Sequence, residues 1–148
     1  MNNSENPMKK RVLFLCTHNS CRSQMAEALV NRYLGRDFEA FSAGTLPTQP
    51  HPLAVRVLAE LGIDIAAASA KHIDEFQGQG FDFVITLCDD AAQACPFFPG
   101  GGRTAHIGFD DPSTFQGTAD EVRQAFRRVR DDIKTQVFAY LTNGSKDD

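Results

Sequence analysis

The chain lacks any run of apolar residues approaching the roughly twenty needed to cross a bilayer, which argues against a membrane-spanning helix. Its start, from Met1 to Pro7, is polar and leads into no signal-like apolar stretch, so a cytoplasmic protein is expected. Long runs of lysine and arginine are missing as well. With a formal charge of -4 and a pI of about 5.5, nucleic-acid binding is disfavoured, and any anion must be captured locally against the overall field. The four cysteines lack the Cys-x2-Cys pairing of a zinc ribbon. Their spacings are Cys-x4-Cys (Cys16, Cys21) and Cys-x6-Cys (Cys88, Cys95). No bound metal is expected, and in a reducing compartment these thiols read as reactive rather than as permanent staples. Internal repeats and a second domain are also absent. At 148 residues the chain is long enough for one substantial core. The expectation is a monomer with a single domain over residues 10–143 and flexible polar tails at 1–9 and 144–148.

What is present concentrates in Cys16-Thr17-His18-Asn19-Ser20-Cys21-Arg22-Ser23. An apolar run, Val12 to Leu15, precedes it, and an amphipathic segment with Met25, Ala26, Leu29, Val30, Tyr33 and Leu34 follows. Strand, tight loop and helix in that order place the backbone N–H groups of residues 17 to 22 around one point. Such a loop cradles a tetrahedral oxyanion, and the helix N-terminus adds partial positive charge. Arg22 offers a planar fork suited to two anion oxygens. Cys16, at the strand end, is the candidate nucleophile, its thiolate favoured by the amides, Arg22 and the Ser23 hydroxyl. Of the four histidines, His18 alone falls where a ligand would bind, and their spacings suggest no metal site.

Along the rest of the chain, short apolar strands alternate with helical periodicity, as in a parallel sheet with crossover helices. Strands are expected at about Arg11 to Leu15, Phe38 to Ala43, Phe81 to Leu87 and, weakly, Thr104 to Ile107. The first helix should end at Leu34 with Gly35 as a left-handed cap. A second helix should start at Pro52, bury Leu53, Val57, Leu58 and Leu61 on one face, and stop at Gly62. A short helix is expected over 89–95, broken by Pro96 and the Pro99-Gly100-Gly101-Gly102 run. The last helix opens with the capping box Thr118 to Glu121 and carries a core stripe of Val122, Phe126, Val129, Ile133, Val137 and Tyr140. Ligands of open α/β sheets bind beyond the carboxyl ends of the strands, where Cys16, Cys88 and the Asp110-Asp111 loop all fall.

The Cys16 to Ser23 run resembles the phosphate-binding loop of the low-molecular-weight protein tyrosine phosphatase superfamily, and the resemblance extends from about Val12 to Ile133. Ser23-Gln24-Met25-Ala26-Glu27 looks more like its thioredoxin-coupled arsenate reductase branch, since the phosphatases usually carry proline where this chain has Gln24. The resemblance implies a four-stranded parallel sheet in the order 2-1-3-4. It implies Asp111, held extended by Pro112, as the general acid. It also implies a relay of three thiols at Cys16, Cys88 and Cys95, regenerated by thioredoxin and, through thioredoxin reductase, by NADPH. Cys21 matches a position the family treats as non-essential.

A helix over 89–95 would hold Cys88 and Cys95 about 10 Å apart along its axis, so that segment must unwind to form their disulfide, which requires a Cα separation below about 7 Å. The glycine run 100 to 102 and the helix-limiting Pro96 would ease such a rearrangement. Some relatives bind potassium beside the loop. Here Asn19, Ser42 and Ser69 match that site, but Lys71 stands where its aspartate would be, so the lysine ammonium is expected in the cation's place. Two rivals remain. One is a tyrosine phosphatase using Cys16, Arg22 and Asp111 alone, although Ser113 rather than tyrosine follows Pro112. The other is a non-catalytic thiol sensor or arsenite-binding module, which has no use for Arg22 in an anion loop.

Overall fold

The computed structural model describes residues 9–87 and 101–147. Four strands, β1 (Lys10–Cys16), β2 (Phe38–Gly44), β3 (Phe81–Thr86) and β4 (Gly101–His106), form one sheet in the order β2-β1-β3-β4, with every neighbouring pair parallel. The described helices are α1 (Arg22–Tyr33), α2 (Pro52–Ala59) and α3 (Ala119–Asp147), with 3-10 turns at Ile73–Phe76 and Pro112–Thr114. None of the described helices is long and apolar enough to cross a membrane.

Alternation along β1 divides the core between the two faces of the sheet. Val12 and Phe14 point to the side where Met25, Leu29, Leu58, Phe126, Ile133 and Val137 of the helices gather. Leu13 and Leu15 point to the other, against Ile73, Phe76 and Val84. Phe14, Phe83 and Phe126 are among the largest fully buried side chains, and each such burial contributes about 1.5–3 kcal/mol. The capping box closes as expected: the Thr118 amide donates to Glu121 Oε1 at 2.9 Å, and the Glu121 amide to Thr118 Oγ1 at 3.1 Å. Pro52 opens α2, and Gly62 beyond its end takes a left-handed φ of 79°.

One expectation is corrected, and two elements run further than expected. Gly35 does not adopt a left-handed conformation; Leu34 caps α1 through its amide to Val30 O. Glycine is needed at 35 for space, since a Cβ there would lie 2.4 Å from Asn31 O. β4 begins at Gly101, ahead of the expected Thr104, with Gly101 paired to Phe81. A Cβ on Gly102 would meet Asp82 O at 2.8 Å, so glycine permits close strand approach there. The backbone of α3 runs on to Asp147, into the segment 144–148 expected as a tail. The expected helix at 89–95, with Cys88, Cys95 and Gly100, lies outside the described residues.

Candidate active site

The site is built at the carboxyl end of β1. Cys16 ends the strand, 3% exposed, and residues 17–21 carry the chain to Arg22, the first residue of α1. Every carbonyl in that loop is tied down. Thr17 O accepts from the Leu46 amide (2.9 Å), His18 O from Thr48 (3.1 Å), Ser20 O from His51 (2.9 Å) and Cys21 O from Met25 (2.9 Å). Asn19 O accepts from the Gln24 side-chain amide at 3.1 Å. A trans peptide is planar, with C=O and N–H pointing opposite ways. Fixing these carbonyls outward therefore turns the N–H groups of residues 18 to 22 toward the loop interior, next to the N-terminus of α1.

Asn19 holds the middle of the loop. It is buried and, alone among the described non-glycine residues, has positive φ (52°). Its Nδ2 donates to Ser23 Oγ (2.8 Å) and Ser42 Oγ (2.9 Å), and its Oδ1 accepts from the Lys71 amide (2.8 Å). Ser42 Oγ in turn donates to Glu27 Oε1 at 2.5 Å. The Lys71 ammonium donates to Ser69 O at 3.1 Å and lies 3.8 Å from Glu27 Oε1. The residues of the expected cation region thus share one network, with an ammonium group in it.

Arg22 is 8% exposed. Its Nη1 donates to Phe109 O at 3.1 Å, and its Nη2 lies 3.4 Å from Asp111 Oδ2. Its buried Nε has no partner among the described residues. A buried guanidinium N–H beside a ring of amides suits an oxyanion. Asp111 is extended (φ -81°, ψ 108°), as Pro112 demands, and its Oδ1 accepts from both the amide (2.9 Å) and the hydroxyl (2.7 Å) of Ser113. Between the two acids before Pro112, it is Asp111 that the structure pairs with Arg22.

Cys21 is buried, and burial pushes its thiol up to about 11, so it stays protonated at neutral pH. His18 is exposed, and its Nδ1 donates to Leu46 O at 2.9 Å.

Residues 11–147 match the low molecular weight phosphotyrosine protein phosphatase family. The chain belongs to that family. It is 43% identical over 136 residues to an arsenate reductase of Halalkalibacterium halodurans, covering 92% of this chain and 98% of the relative. Among solved structures it resembles an arsenate reductase in the phosphate binding state, with a TM-score of 0.76, 31% identity, and coverage of 90% of this chain and 98% of that one. It also resembles a thioredoxin-dependent arsenate reductase of Corynebacterium glutamicum (TM-score 0.68, 27% identity, 95% of this chain and 66% of that one).

For this phosphatase-family member, sequence reasoning missed three contributors to the site. Gly44 packs so closely that a Cβ would lie 2.4 Å from Thr17 O and 2.9 Å from both Asn19 N and Cys16 O. A glycine ending a strand was the available signal. His51 caps α2, its Nδ1 accepting from the Leu53 amide at 3.0 Å, and its ring packs 4.8 Å from that of Phe126. Burial holds its imidazole below the usual value, with the nearby Asp111 charge opposing the shift. The third, Phe109, acts through its carbonyl, which no side-chain pattern reveals.

Proposed function

We propose that this chain is a cytoplasmic arsenate reductase regenerated by thioredoxin. The observation that carries the reading is the oxyanion cradle over Cys16, formed by the inward amides of residues 18 to 22 and the buried Nε of Arg22. Sequence adds what hydrolysis alone would not require, the further thiols Cys88 and Cys95. The two strand ends also support it. The amide of Leu87, the residue before Cys88, donates to the carbonyl of Leu15, the residue before Cys16, at 2.9 Å.

In this reading the Cys16 thiolate attacks arsenate held by the loop amides and Arg22. Asp111, as the general acid, delivers a proton to the departing oxygen, which leaves as water. The product is a covalent Cys16–arsenic(V) adduct. Cys88 then attacks Cys16 Sγ; the S–As electron pair goes to arsenic, arsenite departs, and a Cys16–Cys88 disulfide remains. Cys95 attacks Cys88 next, freeing Cys16 and leaving Cys88–Cys95. The dithiol of thioredoxin reduces that bridge and is itself renewed from NADPH by thioredoxin reductase. Phosphate and sulfate share arsenate's shape and charge and compete for the cradle. Phosphorus(V) is not readily reduced by thiols, so a phosphocysteine leaves only by hydrolysis. Lys71 supplies the positive charge beside Glu27, and no potassium ion is needed.

The test is a coupled assay of the whole protein with thioredoxin, thioredoxin reductase and NADPH. NADPH oxidation should rise with arsenate and stop in Cys16→Ser. Oxidation that stays at background across millimolar arsenate would contradict the proposal.

A further inference from the structure

Four of the five loop carbonyls are fixed by backbone amides, which no side-chain substitution removes. The fifth, that of Asn19, depends on one side chain. Gln24 sits in the first turn of α1, 2% exposed, and its Nε2 lies 3.1 Å from each of Asn19 O, Asn19 Oδ1 and Ser69 O. Three acceptors around one atom settle which end of the amide faces the loop, since an oxygen there would oppose three oxygens. Two protons shared among three acceptors tie together the loop turn, the Asn19 side chain and the segment that carries Ser69. The tie falls where the backbone most needs it, at the residue with φ 52°.

We infer that Gln24 is a positioning residue of the oxyanion site, holding the Asn19–Ser20 peptide so that the Ser20 N–H faces the bound oxyanion. The inference rests on the reading of this loop as an oxyanion cradle, and not on the thiol relay. Without the Gln24 donors, Asn19 O loses its one outward partner among the described residues, while Asn19 Oδ1 keeps the Lys71 amide. The peptide is then free to rotate, and the effect should be confined to one N–H of the cradle.

Sulfate, a tetrahedral dianion across neutral pH, is the probe. Amide resonances of the whole protein are followed by NMR during sulfate titration, in wild type and in Gln24→Met, which keeps the side chain's length and removes its donors. In wild type the amides of residues 18 to 22, Ser20 included, should shift. In Gln24→Met the Ser20 response should shrink selectively and sulfate should bind about tenfold more weakly, the scale of one lost hydrogen bond. Gln24→Glu, which turns a carboxylate toward three oxygens, should bind more weakly still. If the wild-type loop responds but Ser20 does not, or if Gln24→Met leaves the Ser20 response and the affinity unchanged, the role of Gln24 is refuted and the cradle stands. If no loop amide responds in wild type, the cradle and the role of Gln24 fall together.

Discussion

Gly44 lies so close to Thr17 that a Cβ at position 44 would come within 2.4 Å of the Thr17 carbonyl oxygen. The end of β2 thus serves as a mould for the anion loop. The three atoms nearest such a Cβ all belong to the backbone, so no side-chain rotation relieves those clashes. Gly44→Ala should therefore displace the loop, and misplacing a cradle by even an ångström costs about a hundredfold in rate. The expected outcome is a loss of that order in kcat/KM for arsenate, with far-ultraviolet circular dichroism close to wild type. A Gly44→Ala protein of wild-type activity would show that the close approach does not shape the site.

Much of the fold was legible because it follows from periodicity. The apolar runs of β1 and β3 and the stripe of α3 mark the core, and the parallel order β2-β1-β3-β4 matches what the family resemblance implied. Of the proposed cradle, Cys16 and Arg22 could be named from sequence, where residue type carries the chemistry. Glycines misled: Gly35 and Gly102 answer to close backbone approach, and no local pattern reports what a missing Cβ would have touched. Phe109 and His51 were missed for a similar reason, since their contributions arise only when distant segments meet.

Cys21 gives the protein an alkaline sensitivity. Burial raises its thiol from an ordinary value near 9 to about 11, so the folded state holds this proton more tightly than the unfolded state. That contribution, about 2–3 kcal/mol, is fully present below pH 9 and is lost as the pH rises through 11. Thermal melts of wild type should thus fall more steeply between pH 9 and 11 than those of Cys21→Ala. Parallel curves would contradict this. Cys21 should also resist iodoacetamide at pH 8, because the thiolate is the reactive form.

His51 works in the opposite direction. Its imidazole is held below the usual value mainly by burial, and protonating Nδ1 would break the cap on the Leu53 amide. A lowered folded value means that its contribution is present above the ordinary histidine range and is lost as the pH falls through the folded value. The Asp111 charge partly opposes the shift, so Asp111→Asn should lower the His51 titration midpoint further in NMR. A midpoint that stays put or rises would remove Asp111 from its surroundings.

With the Lys71 ammonium on Ser69 O and beside Glu27, arsenate reduction should proceed equally in potassium, sodium and choline buffers of matched ionic strength. A severalfold stimulation specific to potassium would show that the ammonium does not take the cation's place.

The relay is tested most directly by counting and mapping thiols after arsenate treatment without external reductant. Wild type should lose two free thiols per arsenite formed and carry a Cys88–Cys95 disulfide. Cys95→Ser should complete one turnover and stop at Cys16–Cys88, and Cys88→Ser should release no stoichiometric arsenite. A dominant Cys16–Cys21 bridge, with Cys88 and Cys95 still free, would contradict the relay.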